Sequence, residues 1–201
     1  GSVVLVGAAI EGLGGYAEST TSKVFGSDSF QIGQLLQVGR MSRRERLEKL
    51  KYHRPIRLED YQYLRQASGN TIMFSPYRQR FDDIKHENQT IDTGTVIGTA
   101  ANMAEIRDVV LTDGRYFTED EERSRVLVAV IGDEVRATFF GDLSPLGKSI
   151  KIAGFEFRVI GVQEKIGSGG GQSQDMVAYI PATVFHKIYG PERSMMLFAR
   201  P

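Results

Sequence analysis

The sequence predicts an α+β fold: a strand–helix–strand arrangement over the first hundred residues, followed by a strand-rich stretch with short helices. Three observations carry this. Two helical patterns near residues 42–69 have start and stop signals, whereas most of the remaining apolar residues alternate in short β-forming runs bounded by Gly, Asn and Asp. With 201 residues, 41% apolar and 25% charged, the chain can bury a real core without disulfides or metals.

The elements follow in order. Val3 to Ile10, VVLVGAAI, is an unbroken apolar and small run of eight. It is shorter than the roughly 20 residues of a membrane span and has no basic stretch before it, as a signal peptide would. Two readings stay open: a buried strand, or the last turns of a transmembrane helix that begins outside this chain. After the Gly26-Ser27-Asp28 turn, alternating Phe30, Ile32 and Leu35 predict a strand over 28–36. Ser42 with Glu45 three residues on is a capping-box signature for a helix that Pro55 prevents from continuing far. Leu58, Tyr61 and Leu64 lie at helical spacing in a second helix closed by Gly69-Asn70. Residues 71–83 and 89–102 read as strands, with turns at Asp82-Asp83 and Glu87-Asn88.

In the second half, Thr118 caps a short acidic turn. Val126 to Ile131, VLVAVI, predicts a buried strand, and DEVRATFFG predicts a helix after Gly132-Asp133. A turn at Ser144 to Gly147 leads into SIKIAGFEFRVIGV, a hairpin about Ala153-Gly154. GSGGGQSQ, residues 167–174, is a flexible loop or hairpin tip, with Asp175 assigned to the strand that follows. MVAYI is that strand, Pro181 opens a helix at its favoured first position, and MMLFA is a final strand. A strand with nothing after it suggests a chain cut from something larger.

Composition excludes several chemistries. There is no cysteine, hence no disulfide framework, thiol nucleophile, iron–sulfur cluster or cysteine zinc site. The net charge of zero gives no general attraction to nucleic acid or anionic lipid, yet the charge is polarised. Arg40 to Arg65 carries nine Lys or Arg against four acids, and Glu105 to Glu122 carries seven acids against two Arg. The 22 glycines, about 11% against an average of about 7%, are the one unusual count.

Candidate catalytic groups are sparse. A serine triad needs a histidine base in reach, and His53, His86 and His186 all lie away from any G-x-S-x-G elbow; surface or packing roles fit them better. No pair of histidines shares a helix face to bind metal. The glycine loop lacks the G-K-[ST] end of a phosphate cradle, because Lys165 precedes it. The basic stretch with Tyr52, Tyr61 and Tyr63 fits a solvated helix face better than a nucleic-acid site. No catalytic residue, cofactor, metal or nucleic-acid partner is expected.

Six segments in order, GRYFTEDEE, VAVIG, TFFGDLSPLGKSIKI, FRVIGV, a glycine loop with QSQD, and AYIP, give the chain a specific resemblance. It resembles the periplasmic core domain of MacB-type (MacB/FtsX-like) ABC transporter permeases, most fully from about Thr93 to Pro181 and more weakly back to Gly7. The resemblance implies a porter-like strand–helix–strand subdomain with an inserted mainly-β, sabre-like subdomain. Residues 1–23 would then end the first transmembrane helix and lead in, 24–92 form the first porter-like unit, 93–192 the inserted subdomain, and 193–201 the start of a second porter-like unit. The basic segment Arg40 to Arg57 does not align with the family.

The resemblance further implies coupling without chemistry. ATP hydrolysis belongs to a separate nucleotide-binding ABC ATPase domain or subunit, and this domain, on the periplasmic side of the bacterial inner membrane, relays movement to substrate and to a periplasmic adaptor or lipoprotein carrier. A permease dimer is expected. The tip residues Ser168, Gly169, Gly170, Gly171 and Gln172, together with the charged segments, are the expected partner contacts. Two alternatives are a domain that captures peptide or lipid in an apolar groove, and a hydrolase, which would need a histidine within reach of a serine and a carboxylate.

Overall fold

The computed structural model describes residues 18–21, 29–35, 41–169 and 172–201. The apolar run Val3 to Ile10 and the tip residues Gly170 and Gly171 lie outside the described residues. The chain divides into two compact units: residues 1–77, 105–108 and 191–201 form the first, and residues 78–104 and 109–190 the second.

In the first unit four antiparallel strands pair in the order β1 (Glu18–Thr21), β2 (Phe30–Gly33), β12 (Met196–Arg200) and the start of β3 (Met73–His86). The final strand is therefore central here, with Leu197 opposite Ile32 on one side and Pro76 on the other. Two helices accompany the sheet, α1 (Arg43–Tyr52) and α2 (Leu58–Ser68). The core gathers Phe30, Ile32, Ile56, Leu64, Phe74 and Leu197. The apolar stripe expected on α2 is narrower than its spacing predicts. Leu64 is buried, but Leu58 is 56% exposed, because it sits at the helix start, where Asp60 turns inward to receive the Arg57 amide and the Arg54 guanidinium. Ile56 is held by the β12 approach: its amide donates to Ser194 Oγ, and its carbonyl accepts from Met195.

The second unit is strand-dominated. β3 pairs with β4 (Gln89–Thr99), β4 with β11 (Val177–Pro181), β11 with β6 (Val128–Ile131), and β6 with β8 (Phe155–Gln163). β7 (Ser149–Ile152) pairs with both β8 and β3, closing the circuit into a small barrel. The β4–β11 and β6–β8 pairs are parallel. β5 (Leu111–Gly114) extends the sheet beyond β8. Ile84, Val96, Ile131, Ile150, Phe157 and Ile180 fill the interior, and α5 (Asp133–Phe140) and α6 (Ala182–Tyr189) add Val135, Phe139, Val184 and Phe185. The expected boundary between residues 92 and 93 falls within β4 of this unit, where Thr93 has a left-handed φ of 58°.

Several elements stand as the sequence predicts, including the Ser42 capping box, the Thr118 cap, the buried β6 and the hairpin about Ala153-Gly154, two residues that both have positive φ. Others differ. The turn expected at Asp82-Asp83 does not form, and β3 runs straight through it. These carboxylates bind elsewhere: Asp82 accepts from Tyr189 Oη at 2.8 Å, and Asp83 from the Thr93 amide across the strand pair at 3.2 Å. The chain reverses at Glu87, whose φ is 51°. Pro181 ends β11 and caps α6 rather than occupying its first turn. β1, β5 and the four-residue α3 (Met103–Ile106) are short elements without a periodic signal.

Candidate functional site

The glycine loop is an ordered two-strand hairpin at its base. β9 (Ser168–Gly169) pairs antiparallel with β10 (Gln172–Ser173), Gln172 opposite Gly169 and Ser173 opposite Ser168. Its neck is fixed by Asp175, which is 1% exposed and lies just before β11 rather than within it. One carboxylate oxygen accepts from the Ile166 amide at 2.7 Å and the other from the Gly167 amide at 2.8 Å. The Gln174 amide donates to Gly167 O at 3.0 Å, and the Asp175 amide to Ser173 Oγ at 3.1 Å. A carboxylate that caps backbone amides satisfies its own buried charge and two donors at once.

The neck is in turn seated on the barrel. Asp175 O accepts from the Glu134 amide at the start of α5, and the neighbouring Gly132 amide donates to Val177 O. A Cβ at position 132 would collide with the Asp175 carbonyl, so only glycine allows this approach. A firmly tied base results, with Ser168 exposed on it.

Of the expected contact residues, Ser168, Gly169 and Gln172 thus share one hairpin, and Gly170 and Gly171 fall outside the described residues. Asp175 and Gly132 escaped the sequence reading. An Asp directly after a Gly/Ser loop and before an apolar strand is the signal that was available, since Asp side chains bond nearby backbone amides in turns.

The charged segments are of two kinds. In the second unit, Thr118 caps α4 (Glu119–Arg123), Glu121 returns a bond to the Thr118 amide, and Arg115 clasps the Glu121 carboxylate with bonds of 2.8 and 2.7 Å. Arg115, then the Thr118 amide, hold the Glu121 carboxyl down to about 2 against the opposing effect of burial. Glu122 accepts from the Ala101 amide, and Thr183 Oγ1 donates to the Glu122 carbonyl. In the first unit, α1 has the same capping box, Ser42 with Glu45, but no buried residue. Leu47 and Leu50 are 53% and 36% exposed, beside a shallow recess of about 690 Å³ that Arg43, Arg44 and Lys51 also line.

The histidines are separate from one another and from any hydroxyl base pair. His53 Nδ1 meets Gln34 O, and His86 Nδ1 meets Ser149 O, with its ring against Phe139 and Phe140. His186 is exposed on α6. Among the described residues no histidine bonds a serine hydroxyl, and no cluster of three metal-ligating side chains occurs. The arrangement that a hydrolase would require is thus not found among them.

Known structures share this architecture. The periplasmic region of MacB from Actinobacillus actinomycetemcomitans superposes with a TM-score of 0.62 at 20% identity, covering 76% of this chain and 68% of that one. The extracellular domain of the ABC-type transporter YknZ from Gram-positive bacteria gives 0.60 at 21%, covering 73% of each chain. The fold is that of an extracytoplasmic domain of ABC transporters. The sequence pattern of the MacB-like periplasmic core domain matches residues 1–201, and the chain belongs to that family. The macrolide export ATP-binding/permease protein MacB of Bdellovibrio bacteriovorus is 35% identical over 136 residues, which is 67% of this chain and 21% of that protein. MacB of Chlorobaculum tepidum is 40% identical over 97 residues, 48% and 15% of the two chains. The pyoverdine export protein PvdT of Pseudomonas aeruginosa is 40% identical over 74 residues, 37% and 11%. The chain therefore spans about a fifth or less of these relatives. It is a MacB-like periplasmic domain of an ABC transporter permease, and no helix among its described residues is long and apolar enough to cross a membrane.

Proposed function

We propose that this domain relays ATP-driven movement of a membrane-embedded permease to a periplasmic partner, and that the β9–β10 hairpin is its point of contact. The observation that carries the reading is the buried Asp175 neck. A hairpin whose base is tied to Ile166, Gly167 and the start of α5 moves with the barrel that bears it, and a firmly held base with Ser168 exposed on it suits the passing on of displacement. The relatives' names, which join ATP binding to a permease and export, support a nucleotide-binding domain elsewhere in the assembly; the proposal adds a permease dimer and an adaptor or lipoprotein carrier outside the membrane.

The chain has no cysteine, so Ser168→Cys gives this domain one unique attachment point. A photo-crosslinker on that residue in the assembled transporter is expected to capture a periplasmic protein. The same probe at exposed Lys151, on β7, should capture it at least about tenfold less. Equal yields from both positions, or none from Ser168 in an active transporter, would remove the hairpin from the interface.

A further inference from the structure

The helix α1 sorts its side chains by chemistry. At about 3.6 residues per turn, Arg43, Leu47 and Leu50 fall on one face, with Arg46 on one flank, Lys51 and Arg44 on the other, and Glu48 at the margin. Glu45, Lys49 and Tyr52 fall on the opposite face. Among the described residues, Arg43, Arg44, Arg46 and Lys51 form no ion pair, and the two leucines between them are exposed. Four free cations around two exposed leucines, on a helix with no buried residue, form a surface without a partner among the described residues.

We propose that this face of α1 docks on an anionic phospholipid bilayer. Charge complementarity selects the ligand: arginine and lysine stems lie along apolar surface while their heads reach headgroup phosphates, and the leucines between them enter the acyl boundary. The inference rests on the proposed function, in which this periplasmic domain belongs to a membrane-embedded permease. A second copy of the chain is the weaker match. Of its acidic turn, Glu121 is clasped by Arg115 and Glu122 engaged by the Ala101 amide, which leaves only Glu119 and Asp120, the latter beside Arg123, to meet four cations. Nucleic acid is weaker too, because the helix's one aromatic residue, Tyr52, lies on the far face and offers the cationic face no stacking platform.

The test is co-sedimentation of the 201-residue chain with phosphatidylcholine vesicles, with and without phosphatidylglycerol. Binding is expected to need phosphatidylglycerol and to fall steeply with salt. A cation near an anionic surface is worth about fivefold in partition, so Arg43→Gln with Lys51→Gln should weaken binding on the order of 25-fold. Lys49→Gln, the same charge change on the opposite face, should weaken it far less, and Leu47→Ser should weaken it without altering the salt slope. Circular dichroism confirms that each variant is folded. Equal binding to both vesicle types, or equal effects of Lys49→Gln and Arg43→Gln, would overturn the proposal. So would a salt-sensitive dimer, broken by the double variant, in a chain that ignores phosphatidylglycerol. Each of these results leaves the Ser168 crosslink, and hence the relay reading, untouched.

Discussion

The basic helix of the first unit and the acidic turn of the second open with the same motif and use their charge in opposite ways. Ser42 with Glu45 and Thr118 with Glu121 are both reciprocal capping boxes. Around the second, Glu121 and Glu122 are taken up by the fold, the one by Arg115 and the other by the Ala101 amide, while Glu119 and Asp120 stay exposed. A few residues beyond the glycine tip, Asp175 is likewise committed to two backbone amides. Around the first, four cations touch no carboxylate among the described residues. A charge count along the sequence treats the two stretches as equal and opposite, but the acidic turn has Glu121 and Glu122 tied into the fold, whereas the four cations have no such tie among the described residues.

The contrast can be broken most sharply at Asp175. Replacing it by Ala leaves the Ile166 and Gly167 amides without their acceptor and should cost about 3 kcal/mol in denaturant unfolding. Asp175→Asn keeps one acceptor oxygen and should cost about half as much. No measurable loss in either variant would show that the neck is not held by this carboxylate.

Next comes Glu121. Loss of the cap interaction in Glu121→Gln should cost about 1 kcal/mol at neutral pH, and the pH dependence gives the sign. The folded carboxyl titrates at about 2, below the ordinary 4.5, so the folded state binds the proton less readily than the unfolded one. Its stabilisation is fully present above about pH 4.5 and is lost as the pH falls towards 2. Unfolding curves of the wild type and Glu121→Gln should therefore converge over that interval. A gap that stays constant down to pH 2 would mean that the pair does not hold the carboxylate ionised.

The smallest effect belongs to the helix. Arg43→Gln with Lys51→Gln should move stability by no more than about 0.5 kcal/mol, as expected where surface side chains make no contacts. A loss above about 1 kcal/mol in thermal unfolding would place these cations in the fold after all.

Sequence reading reached those parts of the molecule that local chemistry governs. Ser42, Thr118, Gly69 and Ala153-Gly154 act within a few residues of themselves, so caps and turns were legible. The Asp82-Asp83 turn was misread because those carboxylates bind Tyr189 and Thr93, partners 107 and 10 residues away, which no local rule reveals. β5 gains its strand character from pairing with β8, about 50 residues on, and so has no pattern of its own. At the candidate site, glycine content located the tip. The pin at Asp175 is local, binding amides 9 and 8 residues before it, and an Asp after a Gly/Ser loop was its signal, whereas its seat at Gly132 depends on a tertiary approach between residues 43 apart and was invisible. Exposure was hidden in the same way: Leu58 shares its spacing with the buried Leu64, and only the packing leaves it outside.

The central claim, that the hairpin passes movement on to a partner, is tested most directly by blocking it. Ser168→Cys in an otherwise cysteine-free transporter can be labelled to completion with a bulky maleimide, and ATP hydrolysis and export can be measured on the same preparation. The account predicts that hydrolysis continues while export falls by about tenfold or more, a loss of over 1 kcal/mol in the coupled step. Export at the unlabelled rate with Ser168→Cys fully modified would contradict it.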